Sequence, residues 1–213
     1  QPEGQQKQCS LAGIHPHQAG KAAREDLAGV RALLTHPRVV ALGEIGLDFY
    51  YDFSPRETQE ALLIEQLDLV FEMKKPVILH VRESHGAMLD ILRARKSRLP
   101  GGVLHCFSGS AQSVPVYEKL GFHISFAGSV TFKNASKLRE AARAVSPDRL
   151  LIETDSPYLS PEPFRGRRNH PGQVAEVCRV LADAHRMSFE EMAELTSRNA
   201  AKLFGTLQLS ETV

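Results

Sequence analysis

The chain has 213 residues, 42% of them hydrophobic and 24% charged, and its 26 Lys and Arg against 25 Asp and Glu leave a formal net charge of +1. This composition excludes a disordered chain and predicts a single domain with one sizeable core. The near-zero charge excludes a histone-like basic surface, so any phosphate or nucleic-acid binding must come from a local cluster of cations.

Residues 1–10 are polar, with no basic stretch leading into an apolar run. An irregular N-terminal segment without a signal peptide is expected there, followed by one domain over 11–207 and a tail over 208–213. Strands are predicted over 12–15, 39–45, 76–81, 102–107, 122–126 and 150–154, short runs rich in Val, Ile, Leu and Phe and mostly bounded by Gly or Pro. Between them lie helical patterns. The first, over 55–75, is predicted to open with a capping box of Ser54 and Glu57 around Pro55 and carries Leu63, Leu67, Val70 and Phe71 on one face. Further helices are predicted over 84–95, 111–120, 134–145 and 173–185. Ser188 with Glu191 forms a second capping box before a last helix to about Leu203. The richest apolar runs are cut short by His80 and Glu153, well below the roughly 18 residues of a membrane span. Three scattered cysteines, Cys9, Cys106 and Cys178, fit a reducing, cytoplasmic setting better than a disulfide framework.

Alternating strands and helices imply an α/β fold, either an open doubly wound sheet or a closed barrel. The glycine fingerprints of a nucleotide-binding sheet, GxGxxG or GxxxxGK[ST], are absent. Ionisable residues instead recur where strands end: His15 and His17, Glu44, His80, His105 and Asp155. Barrel enzymes gather catalytic groups at that place, which favours a TIM (β/α)₈-type barrel. A lone histidine at a strand end more often serves the fold than a ligand. Two His, one Glu and one Asp together supply the donors that hold divalent ions, and a bridging carboxylate such as Glu44 can seat two ions about 3.5–4 Å apart. Strand alternation puts His80 and Arg82 on one face, and His105 with Phe107 on one face, leaving Cys106 to packing.

Six runs carry a resemblance: GIHPH at 13–17, GEIGLDFY at 43–50, ILHVR at 78–82, LHCFSGS at 104–110, GSVTFK at 128–133 and ETDSPYL at 153–159. In this order they closely resemble the TatD family of metal-dependent deoxyribonucleases, over nearly all of 11–204. The resemblance implies a barrel of the amidohydrolase, metal-dependent hydrolase kind, divalent-metal-dependent cleavage of DNA phosphodiesters, and a cytoplasmic location. It also implies that Glu44 bridges two metals, that His80 and His105 complete one site, and that Asp155 ligates the other. The family opens with an HxH strand and a further βα unit that this sequence lacks, so the chain is expected to be N-terminally truncated, with the first one or two βα units missing and Asp155's site short of ligands. His15 and His17 would share one strand face, either as substitute ligands or with His17 facing substrate or orienting water.

Arg82, Lys133, Arg165, Arg167 and Arg168 fall in loops at the same strand ends, where guanidinium forks can grip phosphates. Of these, Arg82, two residues after His80, is the best placed, and the alternative for Arg167 and Arg168 is a solvated charged loop. Phe49, Tyr50, Tyr51 and Tyr158 are candidates for stacking on unpaired bases, or for lids and packing. The expected activity is two-metal hydrolysis of single-stranded or frayed DNA, with Glu44 and Asp155 catalytic, Asp155 taking the proton from water, and Mg²⁺ or Mn²⁺, or else Zn²⁺ or Ni²⁺, as the ions. The rivals are a lactonase or phosphotriesterase-like hydrolase, disfavoured because no lysine ends a strand, and an inactive remnant.

Overall fold

The apolar runs pair into one parallel sheet whose strand order follows the chain. The computed structural model describes residues 9–51 and 53–205, and in it β1 (Ser10–Ala12), β2 (Val39–Asp48), β3 (Val77–Arg82), β4 (Gly102–Leu104), β5 (Phe122–Phe126) and β6 (Leu150–Ile152) lie side by side in the order β1-β2-β3-β4-β5-β6. Helices α1 (Arg24–Leu34), α2 (Arg56–Met73), α3 (His85–Ala94), α4 (Val114–Lys119) and α5 (Ser136–Ala144) each connect two consecutive strands, and α6 (Val174–His185) and α7 (Phe189–Phe204) follow β6. This is the βα repetition of the barrel expected from the sequence. The irregular segment expected over 1–10 lies outside the described residues up to residue 8, and the tail expected over 208–213 lies wholly outside them.

Parallel strands covered on both faces read as continuous apolar runs, and every residue of β5 is buried. The core joins Leu42, Leu79, Leu104, Phe122 and Ile124 from the sheet to Leu67, Leu92, Tyr117 and Leu181 from the helices. Each such aliphatic or aromatic side chain is worth about 1.5–3 kcal/mol when fully buried. In β3 the alternation is clean: Val77, Leu79 and Val81 are buried, while Ile78, His80 and Arg82 are only partly so, which puts His80 and Arg82 on one face as the pattern required.

Several boundaries differ from expectation, each for a local reason. The first strand occupies Ser10–Ala12 rather than 12–15, because the Ile14 backbone is taken out of the ladder: its N–H donates to Gln66 Oε1 (2.7 Å) and its carbonyl accepts from Gln66 Nε2 (3.0 Å). His15 caps a 3₁₀ turn over Pro16–Lys21, so His15 and His17 do not lie on a strand. β2 runs three residues further, to Asp48, because Gly46 adopts φ +144° at a point where any Cβ would collide with the His80 carbonyl. β4 and β6 are shorter than expected, since Cys106 and Asp155 take positive φ and leave the strand conformation; strand alternation therefore does not carry from His105 to Phe107. The capping box at Ser54 is not formed. Pro55 is the N-cap without a side-chain bond, and the Ser54 hydroxyl instead accepts from Gly20 N–H (2.9 Å) and donates to the His17 carbonyl (3.1 Å). The box at Ser188 and Glu191 is formed. Helix α1 was not predicted, although Val30 and Leu34, four apart and both buried, carry its apolar face.

Candidate metal centre

Glu44 comes from β2, and three imidazoles close on its Oε1. His80 Nδ1 from β3 lies 2.8 Å away, His105 Nε2, just past β4, 3.1 Å, and His15 Nε2, just past β1, 3.5 Å. In a flat sheet three strand spacings would separate the ends of β1 and β4 by roughly 14 Å. One carboxylate oxygen within reach of His15 and His105 therefore means that the sheet curls around Glu44, as barrel staves do.

A carboxylate backs each of the two histidines on the neighbouring strands. His80 Nε2 sits 3.1 Å from Asp48 Oδ2, which His17 Nε2 also reaches at 2.8 Å. Asp48 is fully buried, and its Oδ1 accepts the Tyr50 and Tyr51 N–H groups at 3.0 and 2.9 Å. On the other side His105 Nδ1 sits 2.8 Å from Glu153 Oε1, which also accepts the Cys106 N–H at 2.9 Å, while Glu153 Oε2 accepts the Ser125 hydroxyl at 2.6 Å. Two buried glutamines on one face of α2 hold the framework. Gln66 fixes Ile14, and Gln59 accepts the Asp48 N–H (2.8 Å) and donates to the Asp48 and Ser54 carbonyls (3.0 and 2.8 Å).

The electrostatics follow from this packing. Burial works against ionisation of Glu44, but hydrogen bonds from His105, His15 and His80 outweigh it and hold the carboxyl well below the usual carboxylate range. Burial likewise disfavours the charged form of His105, yet Glu153 and Glu44 on its two nitrogens push it up to about 11. Asp155 moves the other way: burial, reinforced by Glu153 and Glu44, raises it against the pull of His105 and His80.

Two groups of side chains can hold an ion, Glu44 with His80 and His105, and His15 with His17 and His80, the donor atoms of each lying within 4.8 Å of one another. Imidazole nitrogens with an ionised carboxylate oxygen form a donor set that suits divalent cations, and the raised proton affinity of His105 between Glu153 and Glu44 shows that positive charge is favoured there. The structure thus brings together Glu44, His80 and His105, and through Asp48 also His17. Asp155, beyond the end of β6, is coupled to them by charge, and belongs to neither group among the described residues.

The cationic candidates are placed otherwise. Arg82 lies over the rings of Tyr50 (4.1 Å) and Tyr51 (4.7 Å), and Arg165 over Phe132 (3.7 Å). Lys133, Arg167 and Arg168 are exposed. Sequence reading missed Asp48 and Glu153, although each left a signal: Asp48 is four residues after Glu44 on the same strand face, and Glu153 ends the last apolar run.

A family model described as TatD related DNase matches residues 3–205. The metal-dependent hydrolase YabD of Bacillus subtilis is 43% identical over 192 residues, covering 90% of this chain and 75% of that protein. A protein of Rahnella described as the 3'-5' ssDNA/RNA exonuclease TatD is 40% identical over 200 residues, covering 92% of this chain and 76% of its own. Among solved structures, the TatD homologue YJJV of Escherichia coli K12 superposes with a TM-score of 0.87 at 35% identity, covering 93% of this chain and 77% of that one.

Proposed function

Because this chain belongs to the TatD-related DNase family of metal-dependent hydrolases, we propose that it cleaves phosphodiester bonds of single-stranded or frayed DNA with two divalent ions, in a reducing, cytoplasmic setting. The observation that carries the reading is the convergence of His15, His80 and His105 on one oxygen of Glu44. Glu44, His80 and His105 would hold one ion, and Glu44 would share the second with Asp155. Bound there, Mg²⁺ or Mn²⁺, or alternatively Zn²⁺ or Ni²⁺, would polarise the scissile phosphate and acidify the attacking water.

The chain's own residues do the rest. Glu153 fixes the His105 ring through Nδ1, leaving Nε2 toward Glu44, and Asp48 does the same for His80 from the opposite side. Asp155 accepts the proton of the attacking water. His17, held by Asp48, faces the substrate, and Arg82, Lys133 and Arg165 supply positive charge for its phosphates.

The test is hydrolysis of single-stranded DNA and RNA oligonucleotides with each of these ions, by the wild-type chain and by Glu44→Gln. Metal-dependent turnover that falls by orders of magnitude in the variant, with an unchanged circular dichroism spectrum, is expected. Equal turnover by the variant would remove Glu44 from the chemistry. Hydrolysis of lactones or phosphotriesters but not of strands would move the chain to another class of hydrolase.

A further inference from the structure

Exposed aromatic rings crowd one edge of the metal centre. Phe53 is 64% exposed, Tyr50 59% and Tyr51 40%, all on the short connection between β2 and α2. Large apolar rings gathered in solvent mark an interaction site when something holds them there, and this connection is braced at both ends. At its start Asp48 binds the Tyr50 and Tyr51 amides; at its end buried Ser54 is tied to Gly20, His17 and Gln59. Tyr51 and Phe53 stack nearly parallel, 7° apart with centroids at 5.2 Å. His17 abuts both edge-on, at 5.6 and 4.9 Å. Arg82 lies over Tyr51, so cation, phenol and phenyl form a layered edge that ends on Phe53. His17 links Phe53 to His80, its ring centroid 4.9 Å from the one and 6.0 Å from the other.

We propose that this ledge is a nucleobase subsite: an unpaired base of the substrate strand stacks on Phe53, extending the Phe53–Tyr51 pair, while its neighbouring phosphate lies at the metal centre. The proposal rests on the reading of the site as acting on nucleic-acid strands, and it says why single strands are preferred. Every base has a π-face to offer, so the ledge does not read sequence. In a duplex those faces are taken by neighbouring pairs, and a paired base reaches Phe53 only after unstacking. The hydrogen bonds that hold the Tyr50 and Tyr51 amides and Ser54 lower the ordering cost when a strand arrives.

The test is equilibrium binding, by fluorescence anisotropy, of the metal-loaded chain to a hydrolysis-resistant phosphorothioate oligonucleotide and to a fully abasic strand of the same length and charge. Stacking of one base predicts that wild type prefers the base-bearing strand by about 5- to 150-fold. Phe53→Ala and Phe53→Leu should lose that preference, whereas Phe53→Tyr should keep it. Affinity for the abasic strand should be the same for all of them, which also reports that each variant is folded. Equal affinity of wild type for both strands, no binding of either, or a preference retained by Phe53→Leu would each overturn the subsite. A chain that cleaves strands without base preference loses the ledge and keeps its function. One that binds bases through Phe53 and cleaves no strand with any divalent ion keeps the ledge and loses the function.

Discussion

Glu153 meets the candidate centre through His105, and its two oxygens take three hydrogen bonds, from the His105 ring, the Cys106 amide and the Ser125 hydroxyl. A carboxylate so held can do one thing for the site, which is to fix the ring orientation of His105 and raise its basicity as a ligand. Glu153→Gln keeps the shape and removes the charge. Metal affinity measured by calorimetry should drop by about 10- to 100-fold, the usual effect of losing such a partner, and the melting temperature of the metal-free chain should move far less. Unaltered affinity would reduce Glu153 to a structural contact of β5 with β6.

At the scale of elements, the same connections that place ligands also tie helices to one another. His85 heads α3 and holds α4 through Tyr117, Nδ1 to hydroxyl at 2.8 Å, with its ring edge-on to Phe107 at 5.5 Å. Its Nε2 is buried without a hydrogen-bond partner. Burial lowers its affinity for a proton, opposed by Glu83. The unfolded chain takes up that proton near the ordinary histidine value of 6.5, while the folded chain resists it, so the unfolded state binds more protons in this range and stability rises with pH. The contribution is whole above that value and is lost as pH falls below it. Burial, reinforced by the charge of Arg149, shifts His123 in the same direction. His105, raised between Glu153 and Glu44, works in the opposite sense, so the readout is the difference: from neutral to mildly acidic pH, His85→Asn should lose less melting temperature than wild type. An identical pH dependence in wild type and variant would exclude His85 from the effect.

For the molecule as a whole, a net charge of +1 leaves strand binding to the local cations at the carboxyl ends of the sheet. Each phosphate contact with a single strand contributes a slope of about −0.7 in log affinity against log salt. Arg165, Arg167, Arg168 and Lys133 are all exposed. Changing all four to Gln should flatten the slope by about 0.7 for every one that contacts a phosphate. A slope untouched by the fourfold change would return these residues to a solvated charged loop. Such steering matters because the Glu44 centre is backed by the carboxylates of Asp48 and Glu153, with Asp155 coupled to it by charge, and these repel an approaching strand until cations offset them.

What the sequence alone determined was periodic or composed of short contiguous runs. Alternating apolar strands and amphipathic helices defined the fold class, because burial on a sheet and on a helix face impose periods of two and 3.6. Ionisable residues at strand ends picked out Glu44, His80 and His105, since parallel strands in sequential order must bring their carboxyl ends to one rim. Tertiary structure alone decided the partners. Asp48 and Glu153 became backing carboxylates because the curled sheet turns β2 toward the His17 turn and β6 toward β4. Gln66 pulled Ile14 off the ladder and so set where His15 points. Ser54, which by local pattern should cap α2, was drawn away to Gly20 and His17. Local pattern states what each segment prefers by itself. Which hydrogen bond a side chain finally makes depends on which distant backbone group is left unpaired beside it, and that is known only once the chain has folded.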